Sequence, residues 1–317
     1  MNSAATSLSG ESQGKSPRDI VILGAGAIGQ LMFHQLSAHD LKPVLMARDC
    51  VATSQSLTFT DLNGVTINRK ARLIDRPALD ACQLLIVCVK AYQVEDALLP
   101  CLDDLNPKAH ILLLHNGLGP HLQIADKLND RGLSLGTTSQ GALRMTKWQI
   151  RQTGAGLTQL GHARGPELPA ATRQALLMAI ANSQWCEPIL PMLWQKLAIN
   201  IVINPLTAIN NCHNGNLANE QYRPSILRLI DEVVTVASAE QIPLDKAELI
   251  KRVYQVIALT ASNYSSMHQD IHHGRQTEIE AITGYLLRRA ESHGIATPEN
   301  LAIYHQLKAM EFQTGTR

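Results

Sequence analysis

The glycine-rich segment at residues 24–29 constrains the fold of this chain more than any other feature. It directly follows the apolar run Ile20–Leu23 and precedes a stretch with helical periodicity. A strand, a GxGxxG loop and a helix occur in this order in dinucleotide-binding domains, where glycines permit a tight turn and a close approach of pyrophosphate. The motif alone is weak evidence, but its place in a βα unit predicts a bound dinucleotide. The residues expected to contact it are Gly24, Ala25, Gly26, Ala27, Ile28 and Gly29.

Apolar runs alternate with amphipathic stretches up to about residue 135. This rhythm is typical of βαβ units and predicts a parallel sheet covered by helices. The expected strands are Ile20–Leu23, Val44–Met46 and residues 84–89, 111–114 and 133–135. Farther on, residues 148–153 and 157–160 flank Gly154-Ala155-Gly156, which predicts an antiparallel hairpin at the end of the sheet.

Beyond residue 192 the apolar pattern is almost entirely helical. Breaks are expected near Asn204-Pro205, Asn214-Gly215 and His293-Gly294. We therefore predict an α/β fold, in which an N-terminal Rossmann-type parallel sheet with an antiparallel extension is followed by an all-α C-terminal domain. The expected segments are a disordered tail at 1–18, a dinucleotide-binding domain at 19–187 and a helical substrate and catalytic domain at 188–317. Without a long linker, the two domains are expected to enclose a cleft.

Charge and composition exclude several classes of partner. The formal net charge is +1, with acidic and basic residues spread along the chain, so we expect no nucleic-acid partner and no membrane binding. The longest apolar runs are strand-sized, far shorter than the roughly 20 residues that span a bilayer. The six cysteines lack paired spacing and the N-terminus lacks a secretory signal, which favours a cytoplasmic location. The expected partner is a small molecule.

The residue after the second predicted strand bears on the choice of cofactor. NAD enzymes usually carry an acid here for the ribose 2′-hydroxyl, whereas this chain has Arg48. A planar guanidinium can pair with the 2′-phosphate of NADP, so Arg48 favours NADPH. The alternative is that Arg48 is a solvated surface residue and that Asp49 binds the ribose of NAD.

Two other strand ends carry polar residues. Lys90 follows one predicted strand, and Asn116-Gly117 follows the next. Because open α/β sheets bind ligands beyond the carboxyl ends of their strands, both ends are expected to face the cleft. Lys90 is then a candidate for contacting the cofactor or an anionic substrate, and Asn116 for the nicotinamide ribose. Alternatively, Lys90 extends into solvent and Asn116-Gly117 only turns the chain.

Polar residues recur at helical spacing in an otherwise apolar segment. Lys196, Asn200 and Asn204 are four residues apart and form one stripe on a predicted helix. A lysine withdrawn from water loses its proton more readily, which makes it a useful general acid near neutral pH. Alternatively, the stripe is an ordinary exposed edge whose asparagines cap or bond the backbone.

A second polar stripe is expected on one helical face, and Glu278 follows twelve residues after its middle member, Ser266. Its members are Asn263, Ser266 and Asp270. Small polar groups of this kind suit a substrate with a hydroxyl and a carboxylate, although they could equally cap helices and contact solvent. His268 and His272 have a spacing that can bind a metal from one helix, but neither an HExxH pattern nor an acidic helper accompanies them. We therefore predict no metal.

Eight segments, which together extend over nearly the whole chain after residue 19, carry a family resemblance. They are GAGAIGQL at 24–31, VKAYQV at 89–94, LLHNGLG at 113–119, GTTSQGA at 136–142, LWQKLAINIVINPLTA at 193–208, CHNGNL at 212–217, SSMHQDI at 265–271 and RQTEIE at 275–280. In this order and spacing they resemble the ketopantoate reductase family. Its members reduce 2-dehydropantoate to (R)-pantoate, on the way to pantothenate and coenzyme A.

The resemblance implies a role for each matching residue. Lys196 would be the catalytic lysine, which gives a proton to the oxygen formed when hydride from NADPH reaches the ketone carbon, and Glu278 would orient lysine and substrate. Implied substrate contacts are Asn200, Asn204, Asn263, Ser266 and Asn116. Implied cofactor contacts, besides the glycine loop, are Arg48, Lys90, Asn116 and Glu278.

The chain departs from the family pattern in places, and two other functions stay open. Glu280 stands where an aspartate is usual, Thr283 replaces a frequent asparagine, and His272-His273 could titrate near neutral pH close to Glu278. The first alternative function is reduction of another small 2-keto acid, since a few pocket contacts shift such preferences. The second is a non-catalytic NADP-binding regulator. The expected assembly is a monomer or a homodimer.

Overall fold

The computed structural model describes residues 20–48 and 53–315, with side chains up to residue 312. The expected tail at 1–18 and Asp49 lie outside the described residues. The strands are β1 (Ile20–Leu23), β2 (Val44–Met46), β3 (Thr53–Thr60), β4 (Thr66–Leu73), β5 (Leu84–Val87), β6 (His110–Leu114), β7 (Leu133–Thr138), β8 (Gly141–Thr146), β9 (Gln149–Gly154), β10 (Thr158–Arg164) and β11 (Ser183–Trp185). The helices are α1 (Ala27–Ala38), α2 (Val94–Leu98), α3 (Pro120–Ile124), α4 (Ala170–Ala179), α5 (Leu190–Ile209), α6 (Arg223–Ala239), α7 (Lys246–Leu259), α8 (Ser266–His272), α9 (Thr283–Ser292) and α10 (Pro298–Gly315).

The described strands form one sheet in the order β11-β10-β7-β6-β5-β1-β2-β4-β3-β9-β8. Its centre, from β7 to β2, is parallel, which confirms the predicted Rossmann-type sheet. Every residue of β1, β5 and β6 is buried, as expected for parallel strands with both faces covered. The antiparallel extension is confirmed as well, because β10 runs antiparallel to β7 and β8 antiparallel to β9.

The predicted hairpin between residues 148–153 and 157–160 is wrong, although both segments contain strands. β9 pairs with β8 and β3, whereas β10 pairs with β7 and β11 toward the other end of the sheet. The glycines between them serve a close crossing: a Cβ on Gly156 would lie 2.2 Å from the carbonyl oxygen of Ser139. A glycine needed for close approach of another backbone looks the same in sequence as a glycine in a turn.

Helix α1, which follows the glycine loop, is enclosed by distant parts of the sheet. It packs on β1 and β2 and also contacts β3, β8 and β9, so the outer strands wrap round it. Leu31, Met32 and Leu36 are fully buried there, in one cluster with Leu57 and Ile150. A helix covered on two sides needs apolar residues over much of its circumference, which explains the dense apolar pattern after the loop.

Helix α5 runs unbroken through Pro205, so the break predicted near Asn204-Pro205 is wrong. Proline in a helix interior costs about 3 kcal/mol, whereas each large aliphatic side chain buried contributes about 1.5–3 kcal/mol. Val202, Ile203 and Leu206 surround this proline and are all buried, so their burial outweighs its cost. The other two breaks are confirmed by a 3₁₀ turn at Asn214–Ala218 and by the end of α9 before Gly294.

The helical region is built round α5, which contacts α6, α7, α8 and α10. Its apolar core is continuous with that of the sheet, since Leu113 and Leu135 belong to the same buried cluster as Trp194, Leu197 and Ile201. This packing places α5 against β7 and brings polar residues of the helix to the carboxyl ends of the central strands. Among the described helices, none has the length and apolar character needed to cross a membrane.

Candidate active site

The glycine loop has the geometry that a dinucleotide requires. Gly24 adopts a φ of 107°, which residues other than glycine rarely adopt. A Cβ on Gly29 would lie 1.9 Å from the carbonyl oxygen of Gly24, so the first turn of α1 packs directly on the loop. A Cβ on Gly26, by contrast, would meet no atom within 4 Å. Space is therefore open where a pyrophosphate approaches the backbone, and the residues present fit the cofactor.

Arg48 is exposed just beyond the end of β2. The ends of β1 and β2 are joined by a hydrogen bond of 2.9 Å from the backbone N of Gly24 to the carbonyl oxygen of Met46. Arg48 therefore follows the strand that borders the glycine loop, where the 2′-phosphate is expected. Its contact with that phosphate stays a prediction.

Lys196 lies on the part of α5 that faces the sheet. Its Nζ donates one hydrogen bond to Oδ1 of Asn116, at 3.0 Å, and another to the carbonyl oxygen of Thr138 at the end of β7. Burial lowers the pKa of Lys196 to about 8, although the nearby carboxylate of Glu278 acts in the opposite direction. A lysine with such a pKa can give up a proton during a reaction and recover it from solvent.

Glu278 lies in an irregular turn between α8 and α9, with 4% of its surface exposed. Its Oε1 accepts a hydrogen bond from the backbone N of Ala91 at 3.0 Å. Its Oε2 accepts from Nδ2 of Asn116 at 3.1 Å and from Nζ of Lys90 at 3.2 Å. A buried carboxylate needs such donors because removal from water is costly for an unpaired charge. All three donors lie in the sheet region of the chain.

Asn116 connects the lysine with the glutamate. It follows β6, and its side chain accepts a hydrogen bond from Lys196 through Oδ1 while it donates one to Glu278 through Nδ2. The two charged partners fix which end of the amide points to which residue. Burial lowers the pKa of the neighbouring His115, which favours the neutral ring at this point of the cleft.

Lys90 contacts two carboxylates, so the alternative that it extends into solvent is wrong. Its Nζ lies 2.9 Å from Oδ2 of Asp270 and 3.2 Å from Oε2 of Glu278. Burial on its own would lower the pKa of Lys90, but the charges and hydrogen bonds of the two carboxylates outweigh it and raise this pKa. Asp270 also accepts a hydrogen bond of 3.0 Å from Nε of Arg275. The sequence pattern pointed to Asp270 only as part of a helical stripe, because a contact between segments so distant in the chain leaves no local signal.

The first polar stripe is present as predicted. Asn200 and Asn204 lie one and two turns beyond Lys196 on the unbroken helix α5. Asn200 is half-buried and Asn204 is buried. Together they extend a polar line from the lysine along a helix whose other faces pack in the core.

The second polar stripe is only partly correct. Helix α8 begins at Ser266, so Asn263 precedes the helix and does not share a helical face with Ser266 and Asp270. Ser265 is the N-cap: its Oγ accepts a hydrogen bond of 3.1 Å from the backbone N of His268. Asn263 and Ser266 are exposed. Recognition of Ser265 as a capping residue would have located the start of the helix from sequence.

The two histidines considered for metal binding belong to a stack of rings. His268 and His272 have ring centroids 6.1 Å apart, and the stack continues from His268 through Tyr264 to His213. Nε2 of His268 lies 2.8 Å from Oδ1 of Asn211. Burial and the neighbouring histidines lower the pKa of His268. Within residues 20–48 and 53–315, no group of three or more metal-ligating side chains is placed to hold a metal ion.

Comparison with known proteins gives consistent matches along the chain. The family described as "Ketopantoate reductase PanE/ApbA" matches residues 20–165, and "Ketopantoate reductase PanE/ApbA C terminal" matches residues 188–311. The 2-dehydropantoate 2-reductase of Vibrio cholerae serotype O1 is 41% identical over 295 residues, which are 92% of this chain and 98% of that protein.

Solved structures agree on the fold. D-mandelate dehydrogenase in complex with NADH and anilino(oxo)acetate matches with a TM-score of 0.84 at 24% identity, covering 93% of this chain and 99% of that one. A PanE/ApbA family ketopantoate reductase from Ralstonia eutropha JMP134 also has a TM-score of 0.84, at 22% identity and with the same coverage.

The Rossmann-type sheet, the glycine loop and these matches define the chain as an NAD(P)-dependent oxidoreductase. It belongs to the ketopantoate reductase family, as the resemblance of its sequence motifs predicted.

Proposed function

We propose that this chain reduces 2-dehydropantoate (ketopantoate) to (R)-pantoate with NADPH, in the biosynthesis of pantothenate and coenzyme A. The name of the Vibrio cholerae relative supports this substrate. The observation that carries the proposal is Lys196, whose pKa burial lowers to about 8 and whose Nζ is held at the carboxyl end of the sheet. That is the edge at which Rossmann-type sheets bind the substrate next to the cofactor.

NADPH bound on the glycine loop would supply hydride to the ketone carbon. In the proposed reaction Lys196 donates a proton from Nζ to the ketone oxygen and stabilises the negative charge that develops there. An ammonium group has three donor hydrogens, of which Asn116 and Thr138 take two, so one remains for the substrate. Glu278 holds the amide of Asn116 and thereby keeps Nζ in place.

The remaining polar residues are proposed to recognise the two ligands. The hydroxyl and carboxylate of the substrate would be bound by Asn200, Asn204, Asn263, Ser266 and Asn116. On the cofactor side, Arg48 would pair with the 2′-phosphate, which is the reason for proposing NADPH over NADH. Lys90, Asn116 and Glu278 would lie near the nicotinamide ribose. We also propose a cytoplasmic location and a monomeric or homodimeric assembly.

A steady-state assay tests the proposal. NADPH oxidation is followed with ketopantoate, pyruvate and 2-ketoisovalerate, and the assay with ketopantoate is repeated with NADH. We expect the highest kcat/KM with ketopantoate and NADPH. A higher value with another keto acid would assign a different 2-keto acid reductase, and NADPH binding without any turnover would assign a regulator.

A further inference from the structure

The backbone that carries Glu278 has no regular secondary structure to hold it. Residues 277–282 form a turn between α8 and α9, called here the glutamate turn. Its internal backbone hydrogen bonds begin at Glu278, whose carbonyl oxygen accepts from the backbone N of Ala281 and of Ile282, both at 3.0 Å. Thr277, directly before Glu278, joins the turn through its side chain, because its Oγ1 accepts a hydrogen bond of 3.2 Å from the backbone N of Ile279. The backbone N of Thr277 is bonded from outside the turn.

The sheet region fixes the far end of the glutamate turn. The backbone N of Leu118 donates a hydrogen bond of 2.8 Å to the carbonyl oxygen of Ala281. Gly117 packs so closely that a Cβ there would lie 2.3 Å from the same oxygen, and its φ is 79°. These contacts hold Ala281. They do not involve Thr277, the residue directly before Glu278, which is contacted by another element.

The C-terminal helix α10 fixes the near end. Oε1 of Glu311 accepts a hydrogen bond of 2.7 Å from the backbone N of Thr277, directly before Glu278. The other oxygen of Glu311 lies 3.0 Å from Nζ of Lys308, which also lies 3.2 Å from Oε1 of Glu280. The hydroxyl of Tyr304 donates a hydrogen bond of 2.7 Å to the same Glu280 oxygen. Three successive turns of α10 thus hold Thr277, directly before Glu278, and Glu280, two residues after it.

We propose that Glu311 is a positioning residue for the reaction. Through Thr277 it sets the path of the glutamate turn, so that Glu278 reaches Asn116 and, through it, the Nζ of Lys196. This inference rests on the proposed function of Lys196 and Glu278. Small displacements of catalytic groups are costly, because a shift of about 1 Å can reduce a rate by about 100-fold. Tyr304 and Lys308 support the same turn through Glu280.

The same helix offers a matched control. Glu299 is also a carboxylate on α10 with side-chain partners, since it accepts hydrogen bonds from Ser225 and, at 2.8 and 3.1 Å, from Arg228. Those partners lie on α6 and not on the glutamate turn. Loss of Glu299 should therefore weaken the packing of α10 without moving Glu278.

The test compares Glu311→Ala, Glu311→Gln and Glu299→Ala in the full chain. We expect Glu311→Ala to lower kcat about 10-fold while the Kd for NADPH, measured by fluorescence titration, is unchanged. Glu311→Gln should stay within about 3-fold of wild type, because its amide oxygen can still accept the Thr277 N–H. Glu299→Ala should lower the melting temperature as Glu311→Ala does, yet keep kcat.

The pH profile separates positioning from loss of stability. With Glu278 displaced, its charge no longer supports the ammonium of Lys196, so the alkaline limb of kcat/KM should move to lower pH in Glu311→Ala and not in Glu299→Ala. Tyr304→Phe removes a single hydrogen bond and should lower kcat about 3-fold, which provides a test even if Glu311→Ala does not fold.

The outcomes distinguish this inference from the proposed function. The inference alone would be overturned if the wild-type chain is active and Glu311→Ala has the same kcat and pH profile as wild type. If Glu311→Ala does not fold, an unchanged kcat in Tyr304→Phe would overturn the inference instead. Equal loss of kcat in Glu299→Ala and Glu311→Ala would also overturn it, since a general loss of packing would then explain both. A wild-type chain that reduces no 2-keto acid would overturn both the function and the inference.

Discussion

In the proposed reaction the glycine loop binds the hydride donor and the cluster round Lys196 binds the acceptor, yet the two are built differently. The loop consists of six consecutive residues. In the proposed function its backbone amides bind the pyrophosphate, and its glycines, which lack side chains, leave the space that the pyrophosphate needs. The cluster is formed by side chains of Lys90, Asn116, Lys196 and Glu278, with a carbonyl of Thr138.

This difference predicts two kinds of sensitivity to substitution. In the loop, an added methyl group occupies space and changes ligand binding or folding, while no charge is lost. In the cluster, loss of one side chain removes a proton donor or leaves a buried charge without a partner, which affects the reaction more than binding. Four experiments test the contrast, from the largest expected effect to the smallest.

Lys196→Ala should lower kcat at least about 100-fold, the usual scale for loss of a general acid, because the substitution removes the ammonium group that is proposed to donate the proton. The Kd for NADPH should stay within about 3-fold, since the glycine loop is intact. Steady-state turnover and a fluorescence titration measure the two quantities. Turnover that stays at the wild-type level would remove Lys196 from the mechanism.

Gly26→Ala should raise the Kd for NADPH about 30-fold, equivalent to about 2 kcal/mol, because the methyl group enters the space left for pyrophosphate. The melting temperature should not change, because no atom lies within 4 Å of that Cβ. Gly29→Ala is the matched comparison: its Cβ would clash with Gly24 at 1.9 Å, so the melting temperature should fall. An unchanged Kd in Gly26→Ala would contradict the proposed path of the pyrophosphate.

Arg48→Ala should weaken NADPH binding about 10-fold, the scale of one charge-assisted hydrogen bond at an exposed site, and leave NADH binding unchanged. Kd values for both cofactors in wild type and variant give the ratio directly. Equal losses for NADPH and NADH would show that Arg48 does not discriminate the 2′-phosphate.

The pH dependence of wild-type kcat/KM should reflect the pKa of Lys196, which burial lowers to about 8. The protonated lysine is the active form, so activity is retained below this pH and lost as the pH rises through it. For a single ionisation the loss between pH 8 and pH 9 is about 5-fold. The residual rate of Lys196→Ala serves as the control and should lack this limb.

The contrast between loop and cluster also explains how far sequence could predict this molecule. The glycine loop, the central strands and the stripe of Lys196 are local patterns, because the spacing of neighbouring residues determines a strand, a turn or a helical face. The Lys90 contact with Asp270 depends on how distant elements pack, and no local pattern specifies it. The same limit explains the wrong hairpin of β9 and β10, since the sequence near Gly156 does not reveal Ser139 as its neighbour.

Capping and burial account for the other errors. Asn263 was expected on a helix because its spacing fits, but Ser265 caps α8 after it. Pro205 was expected to end α5, but the apolar residues round it are buried deeply enough to keep the helix intact. In both places the prediction considers only the conformational preference of neighbouring residues. The cap and the packing that decide the outcome are visible only in the folded structure.

The hydrogen bonds of the cluster also join the sheet region of the chain to the helical region. Lys90, Ala91, Asn116 and Thr138 of the sheet region all bond to Lys196, Asp270 or Glu278 of the helical region. If the regions separated to exchange ligands, these bonds would break together and Lys196 would return to water, where a lysine has a pKa of about 10.4. In such an open arrangement the lysine would be a weaker acid, and proton donation would be confined to the closed arrangement.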